Sequence, residues 1–299
     1  MELREAIIRT VCYFDLFDFP LTRMEVRSYL LGTEAGANEV DVMIASLTAS
    51  KKLKTENGFI SLHDRDGLSA IRAERKIFSD RKWKRARRWA RIFAALPGVE
   101  LVGVGNTLAY ANAKDGSDID FFIVTAPSAI WRTRFFCAAF AAMLDLRPKA
   151  NDNRDKLCLS FFVTTDALDM RALALGADDV YMRYWTRQMK PLAGKMSVFE
   201  LFRIANPEIQ SRENIDRSFF LRALFSPLAL LPGSFMRNWQ KRHFPQALLE
   251  AAARRDGSVV ISDAVLKFHV SDRRADIYDR WQKRVKSILH EDLQDRRTN

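Results

Sequence analysis

The chain has 299 residues, 48% hydrophobic and 28% charged, which is long enough for two or three domains with sizeable cores and excludes a disordered or fibrous protein. Its 48 Lys/Arg against 37 Asp/Glu leave a net charge of +11, which points to a polyanionic partner or substrate rather than to any fold. The cysteines (Cys12, Cys137, Cys158) are odd in number and far apart, and the four histidines are scattered, which excludes a disulfide framework or a zinc motif and suits reduced thiols in the cytoplasm.

The first residues, MELREAIIRT, are charged from the second position and lack the apolar core of a signal peptide, so a cytoplasmic protein is expected. Residues 1–64 read as a small helical unit closed by a hairpin. Leu3, Ala6, Ile7, Thr10, Val11 and Phe14 follow helical spacing, and Asp18-Phe-Pro20 breaks it. Thr22-Arg-Met-Glu25 has the form of a capping box. A third helix starts near Asn38 with Val40, Ile44 and Leu47 inward, and Leu53–Leu62 folds as two strands around Asn57-Gly58. Three helices and a hairpin resemble a winged helix-turn-helix module. Its third helix, NEVDVMIASLTAS, carries Glu39 and Asp41 and no basic residue before Lys51, which is unfavourable in a DNA groove. Packing or docking of a protein partner is the expected role.

Residues 65–97 form a basic linker helix. Between Arg72 and Arg91 there are ten Lys/Arg against Glu74 and Asp80, with Ile71, Phe78, Ala86, Trp89, Ala90 and Phe93 as an apolar stripe. That charge density admits a solvated face or a surface for RNA or another phosphorylated acceptor. Pro97-Gly98 ends the helix.

From Val99 the texture becomes α/β: strands over Val99–Val104, Asp118–Val124 and Lys156–Val163, with a helix over Ser128–Asp145. Residues 98–176 thus form a mixed domain. Residues 177–299 read as a helical C-terminal region, with helices over Val180–Met189, Val198–Ala205, Ile215–Leu231 and Arg273–Leu289. The apolar run Phe219–Phe235 contains Arg222, Pro227, Pro232 and Gly233 and is read as a buried helical hairpin, so no membrane partner is expected. The whole is an α+β protein.

The chemistry concentrates in GVGNTLAYANAKDGSDIDFFIV, residues 103–124. Residues two apart on a strand share a face, so Asp118 and Asp120 project together while Ile119 and Phe121 enter a core. Paired carboxylates resist ionisation unless a cation lies between them, and Mg²⁺ takes such ligands together with substrate phosphates. Gly103 and Gly105-Asn106 let the backbone approach a bulky anion.

Gly105-Asn106, eleven intervening residues, and then Asp118-Ile-Asp120 within SDIDFFIV entering an apolar strand resembles the glycine-serine…Asp-x-Asp motif of the DNA polymerase β-like nucleotidyltransferase superfamily. The likeness covers residues 98–165. It implies a small mixed sheet with helices, and transfer of a nucleoside monophosphate from an NTP to a hydroxyl or another acceptor with release of pyrophosphate. It further implies that Gly105, Asn106 and Ser117 bind the nucleotide and that Asp118 and Asp120 hold Mg²⁺, or Mn²⁺, as the catalytic pair. Two departures stand out. Asn106 replaces the usual Ser, and the third carboxylate of active members is missing from Lys156-Leu-Cys-Leu-Ser-Phe-Phe-Val163, whose polar interior position is Ser160. Asp155 and Asp166 flank that strand as substitutes. A catalytically inactive nucleotide-sensing or nucleic-acid-binding regulator is therefore the alternative, and a member that modifies a protein side chain is a third reading. Of the other polar residues, His269 reads as a surface residue at a helix start, and Lys190 and Lys195 read as loop residues within reach of a triphosphate.

Overall fold

The computed structural model describes residues 1–149, 151–176, 178–209, 215–216 and 225–298. They divide into two compact units, Met1–Lys76 with Arg273–Asn299, and Ile77–Asp272.

The first unit begins with α1 (Leu3–Asp15), α2 (Arg23–Tyr29) and α3 (Ala37–Ala49), followed by β1 (Leu53–Glu56) and β2 (Phe59–Leu62). The expected apolar spacings hold. Ala6, Ile7, Val11 and Phe14 of α1 and Val40, Ile44 and Leu47 of α3 are buried. The Thr22 capping box forms, with the Glu25 N–H on the Thr22 hydroxyl at 3.2 Å and the Thr22 N–H on the Glu25 carboxylate at 2.8 Å. β1 and β2 are an antiparallel hairpin whose turn places Asn57 and Gly58 at φ 52° and 81°, the left-handed pair of a tight hairpin turn. The Leu21 N–H donates to the Ile60 carbonyl at 2.9 Å and extends the pairing.

A helix over Arg274–Thr298 completes this unit. Read from the sequence as part of the C-terminal region, it instead packs on α1, because Ile277, Trp281, Val285 and Ile288 make an apolar stripe at helical spacing. The Trp281 indole N–H donates to the Arg9 carbonyl at 2.8 Å, and Arg284 pairs with buried Asp15 at 3.3 Å.

α4 (Leu68–Ala94) is the single long helix expected over the basic stretch. Many of its charges are held within the protein. Arg72 grips Glu25 through both oxygens at 2.7 and 2.8 Å, and Arg75 reaches Asp18 at 3.0 Å. Arg81 binds Asp115 and Asp155, Arg85 donates to the Asp155 carbonyl, and Arg91 pairs with Asp216.

The second unit is built on a six-stranded sheet. Its elements are β3 (Val99–Val104), α5 (Asn106–Ala109), β4 (Ile119–Thr125), α6 (Ile130–Met143), β5 (Leu157–Thr164), α7 (Val180–Gln188), β6 (Lys190–Gly194), α8 (Met196–Ala205), α9 (Gly233–Arg242), α10 (Gln246–Ala253), β7 (Val259–Ile261) and β8 (Val265–Phe268). The strand order is β6-β3-β4-β5-β8-β7, with β4 and β5 parallel and the other neighbours antiparallel. Strand alternation sorts the core. Val102, Val104, Ile119, Phe121 and Ile123 pack with Trp89 and Phe93 of α4 and Ile130 and Phe136 of α6. Leu101, Phe122 and Val124 pack on the other face with Met182 and Trp185 of α7 and Phe199 and Phe202 of α8. The molecule is thus a mixed α and β structure.

The region after 177 corrects the sequence reading. It supplies three of the six strands, β6, β7 and β8, as well as helices. Lys190 and Lys195 accordingly lie in or beside a strand rather than in a loop. The expected helix over Ile215–Leu231 falls partly outside the described residues. Of the rest, Asp216 bridges to Ala193 and Ser226–Leu230 is a short 3₁₀ turn. Nor is the described part of the Phe219–Phe235 run buried, for Leu230, Leu231 and Phe235 are exposed. Among the described residues no helix is long and apolar enough to cross a membrane.

Candidate functional site

The site forms where β4 begins. With Ile119 and Phe121 buried on the α4/α6 side, alternation turns Asp118 and Asp120 to the α7/α8 side, in line with Phe122 and Val124. Parallel pairing sets Asp120 beside Cys158 of β5. The register then slips by one residue, since Phe122 pairs with Phe161, and such a bulge re-aims the side chains around it. Carboxylate oxygens of Asp118 and Asp120 and the Cys158 sulfur all lie within 4.8 Å of one another, the only such grouping of potential metal ligands among the described residues. The Cys158 thiol is 3.2 Å from the Ser160 hydroxyl, which is 3.1 Å from His269 Nε2.

No basic residue forms an ion pair with Asp118 or Asp120 among the described residues. Burial, and after it the charge of Asp120, push the Asp118 carboxyl up to about 7. Burial likewise raises the Cys158 thiol well above its ordinary value, with Asp120 and Asp118 adding to the effect, so at neutral pH it is a protonated thiol. Lys82, whose charge pulls the Asp118 pKa down against burial and Asp120, has a fully buried side chain. Its ammonium donates to the Asp115 and Ser117 carbonyls at 2.9 and 2.6 Å and pairs with Asp155 at 2.7 Å.

The glycine turn sits against the same cluster. The Gly105 N–H donates to the Asp120 carbonyl at 3.1 Å, tying the turn to β4. A Cβ on Gly105 would lie 2.6 Å from the Trp185 indole nitrogen, so only glycine admits this contact. Asn106 follows in the left-handed region at φ 54°, and its amide oxygen accepts from the Tyr181 hydroxyl at 3.0 Å, leaving the amide N–H groups as donors. α5 is a single turn, too short for a helix dipole of consequence, so any anion here would meet turn amides rather than a helix end.

The other residues singled out from the sequence fall elsewhere. The Ser117 hydroxyl donates to the Lys114 carbonyl at 3.0 Å and shapes the loop before Asp118 without joining the cluster. Asp155 is committed to Lys82 and Arg81, so it is not free to act as a third metal ligand. Asp166 is exposed beyond the far end of β5, the end opposite Cys158. Lys195 pairs with Glu100 at 2.6 Å, while Lys190 pairs in the sheet with Val104, next to Gly105.

Sequence reasoning missed Cys158 as the nearest neighbour of the pair. The signal lay in the alternation of β5, on which Cys158 and Ser160 are two apart and share a face. It also placed His269 on the surface. The fold brings it to Ser160 because β8 runs antiparallel to β5. No known protein family, curated protein or solved structure matches this chain.

Proposed function

We propose that this chain is a divalent-metal-dependent nucleotidyltransferase that moves a nucleoside monophosphate from an NTP to a hydroxyl acceptor. The observation that carries the reading is the Asp118–Asp120 pair, semi-buried, without a counter-cation among the described residues, and tied through Asp120 to the Gly105-Asn106 turn. Asp118 and Asp120 are the ion's ligands. When bound, the ion neutralises the triphosphate and stabilises charge on the transferring group. The Asn106 amide and the turn backbone bind phosphate oxygens, Ser117 and Lys82 hold the loop in place, and Trp185 and Tyr181 wall the turn. In the transfer, a bond forms between the acceptor oxygen and the α-phosphorus as the bridging bond to the β-phosphate breaks. Pyrophosphate leaves, and the hydroxyl proton passes to solvent.

The donor set bears on the choice of metal. Two carboxylates fit Mg²⁺ or Mn²⁺, while the protonated Cys158 thiol standing in the third position is a poor ligand for either. The same substitution supports a second reading, a nucleotide-sensing regulator that binds metal and NTP without turnover, because Asp155 is held by Lys82.

The N-terminal helices and hairpin fit a winged-helix-like module that docks a protein. Met24 of α2 and Val42 of α3 are exposed apolar residues beside acidic Glu39 and Asp41. On α4, Lys84, Arg87 and Arg88 are exposed and available to an RNA or another phosphorylated acceptor.

The test incubates the protein with each α-labelled NTP, Mg²⁺ or Mn²⁺, and total RNA, beside an Asp118→Asn/Asp120→Asn control. Label transferred by the native chain and not by the control is the expected result. NTP binding without transfer favours the regulator. Neither binding nor transfer by the native chain sinks both readings.

A further inference from the structure

A second feature lies next to the carboxylate pair. β5 pairs with β8 only over Phe161–Val163, so Leu157–Ser160 run past the end of that pairing. There they border a cavity of about 350 Å³, walled by Phe244, Leu248 and Phe268 with Arg134 set among them. Exposed Arg147, Ala247 and Val270 stand at its rim.

Arg134 is held firmly but not neutralised. One guanidinium nitrogen donates to the Gln240 amide oxygen at 2.5 Å, and Gln240 is itself anchored by its amide N–H groups on the Trp131 and Met236 carbonyls at 2.8 and 3.1 Å. The guanidinium carbon lies 4.5 Å from the Phe268 ring centre and 5.2 Å from that of Phe244. Its Nε is buried without a hydrogen-bond partner among the described residues. Among them, too, no carboxylate pairs with Arg134, and the nearby charge is another cation, Arg147, also without an ion pair. Burial first, and then Arg147, lower the Arg134 pKa to about 10. Keeping a cation in an apolar recess without a counter-charge is costly, and a ligand that brings the anion relieves it. Guanidinium groups bind carboxylates and phosphates bidentately, and the aromatic and aliphatic walls require an apolar body behind the charge.

We infer that this cavity binds an anion carried on an apolar or aromatic body, with Arg134 and Arg147 on its carboxylate or phosphate group. Cys158 lines the cavity, which lies on the α6 side of the sheet, and its sulfur stands within 4.8 Å of the Asp118 and Asp120 oxygens on the α7/α8 side, so the two features share that residue. The anion site does not depend on the transferase reading.

The test is calorimetric titration of the full chain with 1-naphthyl phosphate and 1-naphthoate, and with 1-naphthol as the uncharged control. Both anions are expected to bind, and the stronger of the two names the charged group. The naphthol should bind at least tenfold more weakly. Arg134→Gln should weaken the anions roughly 10- to 100-fold, the range for loss of a charged hydrogen bond. In case that variant folds poorly, Arg147→Gln and Ala247→Trp, both at exposed positions, should also weaken binding, the latter by blocking the rim. Equal binding of naphthol, or anion binding indifferent to all three substitutions, overturns the inference. Asp118→Asn/Asp120→Asn should leave naphthyl phosphate binding unchanged. If the native chain fails to bind Mn²⁺–NTP yet shows this pattern, the transferase reading falls and the cavity stands. If it transfers nucleotide but binds no naphthyl anion, the reverse holds.

Discussion

Asp155 and the Asp118–Asp120 pair lie at the same end of the sheet, in the same unit, and meet opposite fates. Asp155 receives the buried Lys82 ammonium at 2.7 Å and the Arg81 guanidinium at 3.0 Å. Burial pushes its pKa up, but the hydrogen bonds from Lys82 and Arg81 outweigh that and hold it below its ordinary value. Asp118 and Asp120 face each other and a protonated thiol with no such partner among the described residues, and the Asp118 carboxyl rises to about 7. Cations close to the pair are thus directed to the loop that supports it and withheld from the pair itself. A carboxylate cluster left unsatisfied in an otherwise well-paired fold is where a ligand has binding energy to offer.

The largest effect that would break this contrast is on the supporting knot. Lys82→Met leaves Asp155 with Arg81 alone, strips the Asp115 and Ser117 carbonyls of their donor, and should cost about 3 kcal/mol. Thermal unfolding should show that loss as a melting temperature lower by about 10 °C; an unchanged melting temperature would mean that the pair is not structural. Asp120→Asn should do the converse. Stability should hold or rise slightly as the repulsion goes, while Mn²⁺ affinity by calorimetry falls roughly 100-fold.

Titration sharpens the comparison further. Because folding raises the Asp118 pKa, the metal-free folded state holds a proton that the unfolded chain has released. Its contribution to stability therefore declines as pH rises from about 4 to about 7. Asp155, with its lowered pKa, contributes stability above pH 4 that is lost on further acidification. Mn²⁺ must displace the Asp118 proton, so its affinity should climb by about tenfold per pH unit up to pH 7 and then level off. A flat profile would remove Asp118 from the ligand set. The smallest expected change comes from Cys158→Asp, which supplies a third carboxylate beside Asp120. It should improve Mg²⁺ and Mn²⁺ binding alike by about tenfold. If Mg²⁺ binding is unaffected, Cys158 does not face the metal.

How much of this was legible depended on sequence distance. The helices α1, α3 and α4, the Thr22–Glu25 box and the Asn57-Gly58 turn are local objects, set by periodicity and by bonds between residues a few positions apart. β3, β4 and β5 were legible for the same reason, and with them the shared face of Asp118 and Asp120. β6, β7 and β8 were not. At five, three and four residues they are too short to carry a period, and β6 contains a proline and ends on a glycine. They are strands because the sheet edges beside β3 and β5 offer hydrogen-bond partners.

The basic helix shows the same division from the other side. Its charge count was evident in the sequence, but which charges face solvent was decided by Glu25, Asp18, Asp115, Asp155 and Asp216, acidic residues that only the fold brings to it. Local pattern by itself therefore determined α1, α3, α4 and β3 to β5, the paired aspartates and the glycine turn before them. Tertiary structure decided which cations reach which carboxylates, that Cys158 stands beside Asp120, and that no described carboxylate reaches Arg134. Those outcomes depend on register between strands and on groups far apart in the chain, as in the Ser160–His269 contact, 109 residues apart, and the Arg91–Asp216 pair, 125 apart. Electrostatics acts through space, and a chain's local periodicity carries no record of such distances.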